Sequence, residues 1–148
     1  MAISEWVVDT QILEIASTGE HPLALDAAAL LRAIRECHLV AIDCEGEIVH
    51  EYDPHLRPGT LAEQWWAQMN QRAKIRWHSH RLSQARRRKL SQLGFDASDW
   101  KFVGVASRTA SRLLVAEESD YWAPAVAHCI QNEMRISLVR ITEAVQQA

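Results

Sequence analysis

The chain has 148 residues, 48% of them hydrophobic, and a formal net charge of −3. That length and composition fit one compact domain with its own core, residues 1–148, and so mild an overall charge announces no particular partner. The charge is unevenly spread: residues 64–95 hold Arg72, Lys74, Arg76, Arg81, Arg86, Arg87, Arg88 and Lys89 without one acid, which leaves the remainder markedly acidic.

Residues 5–9 form a short apolar run ending in Asp9 and read as a first buried strand. Residues 11–17 begin a helix that the Ser17-Thr18-Gly19-Glu20-His21-Pro22 stretch breaks. In residues 25–37, Leu30, Leu31 and Ile34 recur at helical spacing, and residues 38–42 follow as a strand. Asp43 to Glu47 is a turn. The segment after Ile48 either returns as a hairpin strand or enters a helix carrying Glu51 and Tyr52. Beyond Pro54 and Pro58-Gly59, residues 61–73 predict a helix with Trp65, Trp66 and Met69 on its apolar face. Residues 81–93 predict another, basic almost all round. Gly94 suits a helix C-cap and Asp96 an N-cap. Residues 112–116 then read as a strand, 123–133 as a helix, 135–141 as a last strand and the tail as a short helix. Helices alternating with short apolar strands predict a three-layer α/β/α sandwich around a mostly parallel sheet. Sites in such sheets form beyond the carboxyl ends of the strands, where Asp9 and the acids at 117–120 fall.

Cys37, Cys44 and Cys129 form no CxxC pair and read as buried or half-buried thiols of a reducing compartment. The first residues lack a basic segment followed by an apolar one, and no apolar run approaches the roughly 20 residues that span a bilayer. A soluble cytoplasmic protein without a membrane partner is the expectation.

Carboxylates attached to apolar runs are costly to desolvate unless compensated, and several converging in one fold suggest a hard divalent cation. Each has an ordinary structural role to weigh against this. Asp9 could cap the following helix, Glu51 could be solvated, and Glu117, Glu118 and Asp120 could line an exposed turn. Asp99 could be a first-turn acid favoured by the helix dipole. Asp99 nevertheless shares a face with Phe102, Val103 and Ala106, which capping does not require. His78-Ser79-His80 is by itself a weak metal pair in a basic context, and tryptophans at helical spacing are usually core.

Taken in order, these contexts resemble the PIN-domain nuclease family over residues 5 to about 141. Val7-Val8-Asp9-Thr10-Gln11-Ile12-Leu13 is similar to the family's opening strand and acid, and Ile48-Val49-His50-Glu51-Tyr52 to its second acid. Leu93-Gly94-Phe95-Asp96-Ala97-Ser98-Asp99 with Phe102-Val103-Gly104-Val105-Ala106 looks like the third acid and its helix. Leu114-Val115-Ala116-Glu117-Glu118-Ser119-Asp120-Tyr121 looks like the closing strand. Gln11 departs from the family's usual Asn or Ser, Ala116 from its Thr or Ser, and Glu118 from its commoner Asp. The missing hydroxyl at Ala116 bears on the positioning of metal or water.

The resemblance implies a metal-dependent endonuclease that hydrolyses phosphodiester bonds, of single-stranded RNA first and of DNA as the other substrate. Mg²⁺ or Mn²⁺ would be held by Asp9, Glu51, Asp99, Glu118 and Asp120, with Asp9, Glu51, Asp99 and Asp120 as the catalytic acids. Asp43, Glu45 and Glu47 stand in reserve for the second acid. Arg76, Arg81, Arg86, Arg87, Arg88 and Lys89 would contact nucleic-acid phosphates, with tryptophans available for base stacking. By analogy the setting is a toxin or defence effector restrained by a protein partner, and a homodimer is among the expected assemblies. The altered pattern at Ala116-Glu117-Glu118 keeps a weakened scaffold or nucleic-acid-binding module as the alternative. A receiver-like phosphoacceptor fits less well, because no adjacent acid pair accompanies the first strand and no suitable lysine follows the last.

Overall fold

The computed structural model describes residues 2–148. Its centre is one five-stranded sheet in the order β3-β2-β1-β4-β5, from β1 (Glu5–Val8), β2 (Leu39–Asp43), β3 (Ile75–His78), β4 (Leu113–Val115) and β5 (Ser137–Val139). Every strand pairing is parallel. Trp6, Val7, Val8, Val40, Ala41, Ile42, Leu114 and Val115 are buried, the near-continuous apolar signature of strands covered on both faces. Helices α1 (Thr10–Ser17), α2 (Ala24–Cys37), α4 (Leu61–Gln71) and α9 (Ile141–Gln147) pack against one another, while α6 (Trp100–Arg108) lies across β1, β2 and β4. The three-layer α/β/α architecture with a parallel centre is therefore what the alternating pattern predicts.

The segment left open after Ile48 is helix α3 (Glu47–Tyr52). Asp43 decides this. Its Oδ2 accepts the Glu47 N–H at 2.9 Å and its Oδ1 the Ile48 N–H at 2.8 Å, so two of the four freed donors at the helix start are satisfied. Gly46, at φ +87°, makes the reversal ahead of it.

Four differences from the sequence reading have identifiable causes. β3 is absent from that reading because Ile75-Arg76-Trp77-His78 is an edge strand, in which Ile75 alone is buried and the alternation is too weak to register. The basic helix α5 (Gln84–Gln92) starts at Gln84 instead of residue 81, since Ser83 Oγ accepts the Arg86 N–H at 3.2 Å and caps it there. The helix expected over 123–133 is α8 (Pro124–His128) running on into a wider turn at Cys129–Glu133, but it is preceded by a short helix the sequence reading lacks, α7 (Ser119–Trp122), from which Pro124, with no N–H to extend α7, separates it. The last strand ends at Val139 because Glu117 Oε1 takes the Ile141 N–H at 2.7 Å and α9 begins.

Of the cysteines, Cys129 is buried, but Cys37 and Cys44 are exposed, contrary to expectation. The tryptophans divide too: Trp65 is core, Trp66 packs edge-on against Tyr52, and Trp77 is 60% exposed on the sheet edge. No helix among the described residues is long and apolar enough to cross a membrane.

Candidate metal centre

The strand order turns back at β1. From there the chain runs outward through β2 and β3, and later returns on the other side as β4 and β5. A crevice forms where neighbouring strands lead their connections to opposite faces, beyond their carboxyl ends. Asp9 follows β1 directly, and its backbone N–H bonds to the Val115 carbonyl at 3.1 Å, locking the ends of β1 and β4 together. Glu118 precedes α7 beyond the end of β4. Asp99 arrives from another direction, on the turn Ala97–Asp99 that leads into α6. Its buried neighbours Phe102, Val103 and Ala106 anchor α6 and so fix where the carboxylate points.

Asp9, Asp99 and Glu118 each offer a carboxylate oxygen, and these atoms lie within 4.8 Å of one another. Asp9 is 2% exposed and Asp99 8%. Burial, followed by the charges of Asp99 and Glu118, raises the Asp9 carboxyl to about 7, although the Tyr121 hydroxyl donates to its Oδ1 at 3.2 Å and opposes the shift. Burial and the charges of Glu118 and Glu51 likewise raise Asp99 to about 7, against the Lys101 charge. Glu118 is raised by desolvation and then by Asp120 and Glu51. Hard oxygen donors this close, all made harder to ionise by burial and by nearby acids, are suited to Mg²⁺ or Mn²⁺, whose charge would offset the repulsion.

Glu51 sits beside this trio and is already engaged. Thr10 donates its hydroxyl to Oε2, and Lys101 Nζ donates to Oε1 at 2.7 Å. Asp120 is exposed on α7 and stands outside the trio, acting on it through its charge on Glu118. Tyr121, Thr10 and Lys101 were not singled out from the sequence. Tyr121 and Thr10 are adjacent to named acids, and Lys101 lies two residues beyond Asp99 in the first turn of α6, so proximity is the only signal the sequence carries for them.

The reserve acids gather elsewhere. Asp43, Glu47 and His80 offer ligand atoms within 4.8 Å of one another, so the His78-Ser79-His80 segment contributes to a cluster after all. Here, however, the groups satisfy one another. Asp43 caps α3, Glu47 pairs directly with His80, and Glu45 takes the Ser79 hydroxyl at 2.8 Å and the His80 N–H at 3.1 Å.

An open groove of about 1080 Å³ is lined by Glu45, Glu47 and His80 of this second cluster together with Glu51, Arg81, Arg87, Trp100 and Lys101, while Asp9, Asp99 and Glu118 lie outside its lining and Glu51 links it to them. Of the basic residues named from the sequence, Arg81 and Arg87 thus face this groove. Arg86 and Lys89 lie close enough to Cys129 for their charges to oppose the rise of its thiol, which burial and Glu133 push up to about 11. Arg88 is exposed on α5, and Arg76 is exposed on the β3 edge, where its guanidinium donates to the Ala73 and Ile75 carbonyls.

Fold and site together define an α/β protein with a carboxylate centre at the switch point of a parallel sheet. Among solved structures, one chain of VapBC2 from Rickettsia felis, bound to a DNA fragment from their promoter, is similar to it: TM-score 0.51 and 15% identity, over 92% of this chain and 98% of that one. At that identity the likeness is one of fold. No family model matches the chain, and no curated protein does.

Proposed function

We propose that this chain is a divalent-metal-dependent endonuclease that hydrolyses phosphodiester bonds in single-stranded RNA. The observation that carries the reading is the convergence of Asp9, Asp99 and Glu118 within 4.8 Å at the switch point. The groove lined by Glu51, Lys101, Arg81 and Arg87 adjoins it. Asp9, Asp99 and Glu118 would hold Mg²⁺ or Mn²⁺, with Glu51 and the exposed Asp120 at the margin.

When bound, such an ion supplies an activated water and Lewis-acid charge at the scissile phosphate. The chain's own residues orient and bind. The Tyr121 hydroxyl fixes the Asp9 carboxylate, and Thr10 with Lys101 fixes Glu51. Arg81 and Arg87 take flanking phosphates, while the half-buried Trp100 ring offers a stacking surface to an unpaired base. Hydrolysis adds the water oxygen to phosphorus, breaks one P–O ester bond and leaves a proton from that water on the departing oxygen.

The setting we propose is a cytoplasmic nuclease of the toxin or defence type, restrained by a protein partner. The VapBC2 likeness supports this, though only through fold. A second reading, a nucleic-acid-binding module that no longer cuts, is favoured by one observation, the prior engagement of both Glu51 oxygens. Cleavage of matched RNA and DNA single strands, with and without Mg²⁺ or Mn²⁺, decides between them. The nuclease reading expects metal-dependent RNA cuts that Asp99→Asn abolishes. Strand binding without cuts by wild type under every metal condition would establish the binding module instead.

A further inference from the structure

Lys101 stands between Glu51 and the turn that carries Asp99. Its side chain is 10% exposed, and its ammonium donates both to Glu51 Oε1, at 2.7 Å, and to the Ser98 carbonyl. A lysine ammonium is a compact, strongly hydrated charge on a flexible stem, so holding it this deeply is costly unless nearby acceptors compensate it. Here two do. The other Glu51 oxygen is occupied by the Thr10 hydroxyl, and Glu51 is not one of the acids whose oxygens converge within 4.8 Å. A cation added between Glu51 and that trio would have to displace the ammonium or sit against it, and like charges at such range repel strongly in a partly buried site.

We propose that Lys101 is the resident second cation of the acidic centre: it holds Glu51 in place and limits Asp9, Asp99 and Glu118 to a single divalent ion instead of a pair. The inference rests on the reading of that trio as a metal centre. It makes Lys101 a positioning residue for Glu51 and a fixed positive charge on the wall of the substrate groove, which it lines.

Electron paramagnetic resonance of the full chain titrated with Mn²⁺ tests this without reference to activity. Wild type is expected to show one uncoupled ion at the centre. Lys101→Met, which frees Glu51, is expected to show the exchange-coupled signal of a two-ion centre, and Lys101→Arg, which keeps the charge, to return to one ion. A coupled pair in wild type, or one uncoupled ion in a Lys101→Met chain with wild-type circular dichroism, would overturn the proposal. Should Lys101→Met fail to fold, the wild-type spectrum and Lys101→Arg decide, since a coupled pair in either contradicts it. Mn²⁺ affinity unchanged in Asp99→Asn would instead remove the metal-centre reading beneath it.

Discussion

Two clusters of ligand-capable side chains stand beyond the carboxyl ends of adjacent strands, and both bring three ligand atoms within 4.8 Å. They differ in what already occupies those atoms. At the end of β2, Asp43 is spent on the backbone of α3 and Glu47 on His80, and the cluster braces the chain between β3 and α5. At the end of β1, Asp9, Asp99 and Glu118 face one another, and burial with the charges of neighbouring acids raises all three. Proximity of ligands is therefore a poor guide to a site by itself. The informative quantity is uncompensated charge, and it separates a brace from a centre prepared for a cation.

The largest expected effect breaks the comparison on its functional side. Asp99→Asn should lower metal-dependent RNA cleavage by about 100-fold or more, the usual scale for losing a group that stabilises developing charge. His80→Ala should leave the rate within a few-fold of wild type, and rates under saturating Mg²⁺ check both.

On the structural side, Gly104 of α6 lies under the His80 segment so closely that an added Cβ would stand 1.8 Å from the His80 carbonyl oxygen. Gly104→Ala should therefore cost roughly 3 kcal/mol or more as backbone is forced apart. It should also loosen the Glu45 and Glu47 contacts with residues 79 and 80. Denaturant unfolding measures the first, and hydrogen exchange at the His80 amide the second.

A third test uses pH. Asp9 and Asp99 rise from an ordinary 3.8 to about 7 in the folded chain. Below about pH 4 they are protonated in both states and cost nothing. Between there and about pH 7 the unfolded chain ionises first while the folded chain retains its protons, so metal-free stability falls as pH rises and the penalty then levels off. Thermal melts from pH 4 to pH 8 should show this decline, flattened by Mn²⁺ and reduced in Asp9→Asn.

The smallest effects concern the groove. Arg81→Ala and Arg87→Ala should each weaken single-stranded RNA binding several-fold and lower the salt slope by about one. Arg76→Ala, on the strand edge, should do less. Fluorescence anisotropy across a salt series measures all three.

How much of this was legible in the sequence follows from locality. The parallel α/β order could be read because β1, β2 and β4 are apolar on both faces, and Asp99 stood out because it shares a face with Phe102, Val103 and Ala106. β3 was hidden because an edge strand needs only Ile75 inside. The start of α5 lies at Gln84 and not Arg81 because the Ser83 hydroxyl can cap the helix, which the spacing of apolar residues does not reveal. Lys101 and Tyr121 could not be placed because their importance lies in contacts 50 and 112 residues away along the chain. The same holds for the second cluster, whose Asp43 and His80 meet only once β2 and β3 are paired.

Calorimetric titration of Mn²⁺ into wild type, Asp99→Asn and His80→Ala at pH 7.5 tests the central distinction most directly. A centre at the switch point predicts binding to wild type, the same affinity in His80→Ala, and loss of that binding in Asp99→Asn. Binding that survives Asp99→Asn and disappears in His80→Ala would contradict it, and would move the metal to the end of β2.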